Sequence, residues 1–369
     1  MNEATEGAIV LVGGGHAHVE VVRQLGSLAL DREIVLVSPS RHTPYSGMLP
    51  GYIAGQYTFE DFHIDLAGLC ERCGVSFLEA AVTGIDPAHR RVSLPDGRIL
   101  DYALLSLDIG STPSLPESVS GGVSVKPIAS FTERLARLDA LATRQDEPLR
   151  LAVIGQGVAG VEVALALKHR LDGLTEHPVE IALVGRAPVL IPERGALARR
   201  IIARALEQAG IAHHPLFDVV GFDRGQLAAR DGRRLSVDEV VWTTSSGAAG
   251  WLTQTGLSLD SAGFIRVDET LRSVSHPEIF AAGDIASLPD PRPKAGVFAV
   301  RQGPILAENI GRTIAGQPLL HYRPQRAWLA LISLADGRAV ADKWGLAASG
   351  QWVSAWKHRN DTDFLRRYR

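Results

Sequence analysis

Cysteine is almost absent from this chain: Cys70 and Cys73 are the only two among 369 residues. Two cannot build a disulfide framework, and such scarcity suits a reducing compartment. No apolar run approaches the roughly 18 residues that a membrane-spanning helix needs. An excess of one charge is lacking too. With 38 basic against 41 acidic residues the net charge is −3, which offers nucleic acid no electrostatic footing. The opening Met1-Asn2-Glu3-Ala4-Thr5-Glu6-Gly7 is acidic and polar, unlike a secretory signal. A cytoplasmic protein is the expectation. His16 and His18 flank one loop and His213-His214 begin a strand, but neither pair has a third ligand nearby, so no metal site is expected.

Glycine carries the information. The apolar run Ala8-Ile9-Val10-Leu11-Val12 reads as a buried parallel strand. It breaks at Gly13-Gly14-Gly15, and His16 to about Leu30 then carries Val19, Val22 and Leu25 at helical spacing. Glu33-Ile34-Val35-Leu36-Val37 supplies the next strand. The pattern recurs about 140 residues later. Leu151-Ala152-Val153-Ile154 runs into Gly155-Gln156-Gly157-Val158-Ala159-Gly160, a helix to about Leu171, and the strand Val179 to Val184. In such βαβ units the glycines allow a tight turn and close approach of backbone to a pyrophosphate at a helix N-terminus. One G-x-G-x-x-G is weak evidence; two in one chain, each between suitable strands, are strong.

Both units depart from the dinucleotide fingerprint. His18 stands where a third glycine or alanine is usual, and Ser38 ends the second strand where an acid would take ribose hydroxyls. In the second unit Gly185-Arg186 follows the strand, again without an acid. Arg186 suits a 2′-phosphate and so NADPH, or is simply a solvated arginine.

A third motif, Pro277-Glu278-Ile279-Phe280-Ala281-Ala282-Gly283-Asp284, is a short strand ending in Gly-Asp. With it the chain resembles the pyridine nucleotide-disulfide oxidoreductase superfamily over nearly its whole length. Asp101 to Ser111 and Glu239 to Thr244 resemble the strands by which that family's chain leaves its two nucleotide domains. The segment Ser38-Pro39 to Thr43-Pro44-Tyr45-Ser46-Gly47-Met48-Leu49-Pro50 resembles type II NADH dehydrogenases and sulfide:quinone reductases. With Gly13-Gly14-Gly15-His16-Ala17-His18 it is closest to the subgroup found alone or fused ahead of selenide, water dikinase.

The resemblance implies an α/β fold of two Rossmann-like domains, the second inserted in the first, plus a C-terminal hairpin/helix tail. Residues 1–115 and 265–320 would bind FAD, 116–264 would bind NADH or NADPH, and 321–369 would cap the flavin, form an interface or touch a membrane. It also implies site residues. Gly13, Gly15, His16 and Ala17 would cradle the FAD pyrophosphate, and Asp284 beside Gly283 would bond the ribityl chain. Ser38, Arg41, Thr43, Pro44, Tyr45, Val82, Ile109, Gly110, Lys294 and Ala295 would complete the flavin site. Gly155, Gly157, Val158, Ala159, Gly160, Arg186 and Gly247 would hold the nicotinamide nucleotide. Glu162, two residues past the fingerprint, resembles the family's glutamate at the junction of the two rings; its plainer role is favourable charge near a helix N-terminus. Glu162, Lys294 and Pro44 would stand nearest the chemistry, Lys294 steadying the reduced flavin. Hydride would pass from nicotinamide to flavin and on to a small-molecule acceptor, quinone foremost. Gly296 and Pro304 depart from the quinone-reducing pattern.

Two other readings stay open: oxidation or reduction of a sulfur or selenium compound, and a flavin-binding redox sensor that does not turn over. Cys70 and Cys73 have redox spacing but fall on an amphipathic helix well past the segment where disulfide reductases keep their pair. Four of the six tryptophans, Trp328, Trp344, Trp352 and Trp356, lie in the tail with many cations. Asp336-Gly337 reads as a hairpin turn and Ser349 as the cap of a following helix. The tail would pack over the flavin, pair two copies as a homodimer, or rest peripherally on the inner face of a membrane.

Overall fold

The computed structural model describes residues 7–369 apart from 27–30, 114, 117, 129–130, 145–146 and 245. The opening hexapeptide and the expected end of the first helix lie outside the described residues. β1 (Ala8–Val12) leads into α1 (His16–Leu25), and β2 (Ile34–Ser38) runs parallel to β1. β3 (Ser76–Glu79) lies beyond β2, and β4 (Ile99–Leu107) lies on the other side of β1. Ile9, Val10 and Leu11 have no exposed surface, as expected of a strand covered on both faces. α1 ends at Leu25, and the following Gly26 lies against the helix Leu66–Cys73, where a Cβ would fall 2.3 Å from the Cys73 carbonyl oxygen.

The second unit repeats the plan. β5 (Leu149–Ile154), α2 (Val158–Asp172) and β6 (Val179–Val184) are followed by β7 (Ala212–His214) and β8 (Glu239–Trp242). With Val123–Ser124 they form a parallel sheet in the order 123–124, β8, β5, β6, β7. His213 and His214 end β7, whereas the sequence suggested that they begin a strand. A smaller sheet (118–119, 219–223, 226–229 and 234–236) packs Phe222 and Leu227 against Trp242.

The chain then returns to the first sheet. β9 (Ile279–Ala281) pairs parallel with β4, Ile279 opposite Leu105, so that sheet draws on stretches before and after the second. α3 (Gly296–Ile314), with Pro304 inside it, lies along α1, Gly303 giving the space that Glu20 and Ala17 need.

The tail is a three-stranded antiparallel sheet, β10 (Ala330–Ser333), β11 (Ala339–Lys343) and β12 (Leu346–Gly350), followed by α4 (Gln351–Leu365). Asp336-Gly337 is the hairpin turn, with Gly337 at φ +83°. Ser349 does not cap α4: it pairs with Val340 inside β12, and Gly350 takes the cap position at φ +155°. The tail touches both halves of the molecule. Tyr368 Oη donates to Glu20 (2.9 Å), and the Ser333 N–H donates to Glu162 (2.8 Å). Arg194 meets Asp342 at 3.5 Å. Trp328 faces inward onto Phe298, but Trp344 (75% exposed), Trp352 (59%) and Trp356 (39%) stand in solvent and cannot pack over a cofactor. Among the described residues no helix is long and apolar enough to cross a membrane.

Candidate active site

The first glycine turn is filled from below. Gly13 adopts φ +93°, and a Cβ there would lie 2.4 Å from the Asp108 carbonyl oxygen. Asp108, one residue past β4, is 3% exposed, and its Oδ2 accepts the N–H groups of Ala17 (2.8 Å) and His18 (3.1 Å). Two glycines assigned to ligand approach turn out to make room for this side chain. A Cβ on Gly15 or on Gly283 would sit 2.3 Å from the Asp108 carboxylate. The Ala17 N–H expected to meet a phosphate is therefore already taken. Gly14 and His16 line the open cleft, and their N–H groups meet no protein acceptor among the described residues. His18, fully buried, bonds the Gly13 carbonyl (2.7 Å) through Nδ1 and Ser106 Oγ (2.8 Å) through Nε2. Burial pushes its pKa down to about 4, so the ring is neutral.

The second turn is closer to the fingerprint. Gly155 adopts φ +118°, and a Cβ on Gly160 would fall 1.6 Å from the Gly155 carbonyl oxygen, so helix and strand touch here. Exposed Glu193 accepts the Val158 N–H at 3.1 Å. The N–H groups of Gly157 and Ala159 remain free of protein acceptors among the described residues. At the end of β6 the Gln156 side chain packs on Gly185, bonds the carbonyls of Ala187 (2.7 Å) and Val189 (3.1 Å), and meets His213 Nε2 at 2.7 Å.

Both turns open into one cleft of about 1640 Å³, walled by Gly13 to His16, by Gly157 to Ala159, and by Trp328 to Ile332 of the tail. Orphan backbone donors at two helix N-termini beside a cleft of this size fit two dinucleotides. Gly110, at φ +70° with nothing within 4 Å of where its Cβ would be, adds open space.

Comparison with known proteins agrees. Residues 7–303 match the family model described as pyridine nucleotide-disulphide oxidoreductase. The chain belongs to this family. An NADH dehydrogenase-like protein of Mycobacterium tuberculosis is 27% identical over 336 residues, covering 85% of this chain and 82% of that protein. The demethylphylloquinone reductase of Synechocystis is 26% identical over 363 residues, covering 93% and 88%. Among solved structures, the sulfide:quinone oxidoreductase of Aquifex aeolicus superposes with a TM-score of 0.84 at 17% identity, covering 99% of this chain and 92% of that one. The chain is thus a pyridine nucleotide-disulphide oxidoreductase with FAD and NAD(P)H as its cofactors.

In this oxidoreductase the cleft gathers Ser38, Thr43, Pro44, Tyr45, Val82, Ile109, Gly110, Asp284, Lys294, Ala295 and Glu162. Others lie elsewhere. Arg41 is exposed and pairs with Asp65 at 3.1 Å, and Arg186 is exposed away from the cleft. Gly247 pairs with Thr112 in a two-residue strand outside the cleft wall. Gly155, Gly160, Ala17 and Gly283 lie beneath the cleft surface, where they shape it. Asp284 is held by Ser111 Oγ and Lys126 Nζ, each at 2.9 Å. Lys294 Nζ donates to the Ala286 carbonyl (2.6 Å) and lies 4.0 Å from the Phe264 ring centre, and burial lowers its pKa. Desolvation raises Glu162 to about 7 against the opposing pull of Lys357. His16 falls to about 4 through burial, resisted by Asp284. Its ring lies 5.4 Å from Tyr45, which stacks on Phe364 at 4.5 Å.

The sequence reading missed Asp108, Gln156, Glu193 and Lys126. Asp108 had a signal, since it stands within Asp101 to Ser111, the stretch that resembles the strand leaving the first nucleotide domain. Cys70 is buried in the core with its thiol pushed up to about 12, and neither cysteine lines the cleft. Both are poor thiolates. Among the described residues no group of three or more His, Cys, Asp or Glu could hold a metal ion.

Proposed function

We propose that this protein binds FAD at the first turn and a reduced nicotinamide nucleotide at the second, and passes electrons to a quinone. The observation that carries the reading is the single cleft onto which both glycine turns open. When bound, the flavin supplies the hydride and electron chemistry. The chain's part is placement and protons. The free N–H groups of Gly14 and His16, and of Gly157 and Ala159, orient the two pyrophosphates. Asp284, steadied by Lys126, receives ribityl hydroxyls. Thr43, Pro44 and Tyr45 line the ring side, and Lys294 balances negative charge there. Glu162, with its pKa near 7 at the tail-facing wall, holds a proton that it gives up in the physiological range.

The two-part first sheet supports residues 1–115 with 265–320 as the FAD domain, 116–264 as the nicotinamide domain and 321–369 as a cap. Quinone as acceptor is supported by two relatives named for quinone chemistry and by the apolar wall of Trp328, Leu329, Leu331 and Ile332. The sulfur and selenium reading has no thiol in the cleft to support it. Exposed Trp344, Leu346, Trp352 and Trp356, with Lys343 4.0 Å over the Trp344 ring, favour tail contact with an anionic membrane surface. Flotation with anionic liposomes tests that contact, and recovery wholly in the soluble fraction rejects it.

The main test is anaerobic titration of the purified protein with NADH and, separately, NADPH, followed by flavin absorbance. Bleaching by one of them, and reoxidation by a soluble quinone, is expected. Bleaching by dithionite alone would leave the second turn without its assigned role.

A further inference from the structure

Asp108 occupies the end of α1 that a dinucleotide's pyrophosphate needs. Its carboxylate lies inside the turn, under Gly15 and Gly283, and takes two of the helix's N-terminal N–H groups. A buried carboxylate and a pyrophosphate at one helix end repel each other in a medium that screens poorly. We propose that Asp108 must be protonated for the first turn to hold its dinucleotide, so that binding takes up one proton from solvent and weakens as pH rises. This rests on the reading that the first turn takes FAD.

The surroundings leave Asp108 as the group that titrates. Apart from the two backbone N–H groups, the charge acting on it is Asp284, of the same sign. Lys126 is committed to Asp284 at 2.9 Å, and Lys294 points to the Ala286 carbonyl. From α1, His18 spends both ring nitrogens on Gly13 and Ser106, and His16 faces Tyr45. Both histidines titrate near 4, well below neutrality. With burial and Asp284 acting together, Asp108 titrates at about 7 even before any ligand anion is added. A bound pyrophosphate pushes it higher. The proton is the only species exchanged: the carboxylate gains H⁺, keeps one oxygen as acceptor for Ala17 and His18, and loses its charge.

The test uses the protein as purified. Holoprotein is equilibrated between pH 6 and 9 and ultrafiltered, and retained flavin is measured by absorbance for the natural chain and for Asp108→Asn. The natural chain is expected to lose affinity by up to about tenfold per pH unit at the alkaline end, the limit for one linked proton. The Asn variant, uncharged and nearly isosteric, should give a flat profile. Equal slopes in the two proteins would overturn the proposal. Infrared spectra add a readout independent of affinity: holoprotein at pH 7 should show a deuterium-sensitive protonated-carboxyl band that Asp108→Asn lacks. Should that variant fail to fold, the band is sought in protein carrying both Glu162→Gln and Asp361→Asn, which removes the two other buried acids whose pKa is raised; its absence there overturns the proposal. Protein that neither carries nor takes up flavin at any pH would overturn both this proposal and the reading beneath it.

Discussion

The two glycine turns of this molecule solve one problem in opposite ways. In the second, Gly160 lets α2 close directly onto the Gly155 carbonyl, and the acid that takes a helix-end N–H group is Glu193, exposed on a surface loop. In the first, His18 holds the helix off and fastens it to the equivalent carbonyl of Gly13 through its ring, and the acid is Asp108, sealed underneath. The second turn is a contact, the first a bonded polar network. A contact is broken by adding atoms, a network by removing them. The acids differ likewise: Glu193 can swing aside for an incoming anion, whereas Asp108 has nowhere to go and can only change its charge.

The sharpest way to break the comparison is Gly160→Ala. The added methyl would have to displace α2, at a cost of about 3 kcal/mol or more. A large fall in Tm and loss of flavin bleaching by NADH should follow. At the first turn the reverse holds, and His18→Ala should cost about 2–4 kcal/mol by leaving a cavity and orphaning Ser106 and the Gly13 carbonyl. Denaturant unfolding measures it, and a loss below about 0.5 kcal/mol would mean that the network holds nothing.

Asp108→Asn sharpens the contrast through pH. The folded pKa, about 7, exceeds that of an unfolded aspartate, so the native state holds its proton more firmly. Stability from this group is therefore full below about pH 4 and is lost as pH rises to about 7. The variant, free of that penalty, should be more stable than the natural chain by roughly 2–4 kcal/mol at pH 8, with the gap closing towards pH 4. Thermal melts of flavin-free protein across that range would show it. The smallest effect belongs to the exposed acid. Glu193→Gln should lower the KM for the nicotinamide nucleotide about two- to threefold, the scale of one exposed charge at a helix end.

What the sequence revealed follows the same division. Both βαβ units, the return strand at Ile279–Ala281 and the tail hairpin were legible, because backbone geometry imposes its period and its glycines locally. The partners of those glycines were not. Gly15 and Gly283 look alike whether they admit a phosphate or the side chain of Asp108, which lies far away in sequence and reaches them only once β4 pairs with β1. Arg41 and Arg186 failed to join the cleft because a charge in a loop carries no direction until the fold gives it one. Ser349 was misread as a cap because the third tail strand, Leu346–Gly350, was not anticipated and carries Ser349 inside it.

The distribution of tryptophan has a practical consequence. Trp242 is sealed in the second sheet, Trp251 and Trp328 line the cleft, and Trp344, Trp352 and Trp356 face water. Intrinsic fluorescence of the unmodified chain is therefore a two-channel reporter. A ligand in the cleft should dim the emission of the lining pair, while a partner or lipid on the tail should shift the colour of the outer three. One cuvette can thus follow occupancy and docking separately, with no label attached.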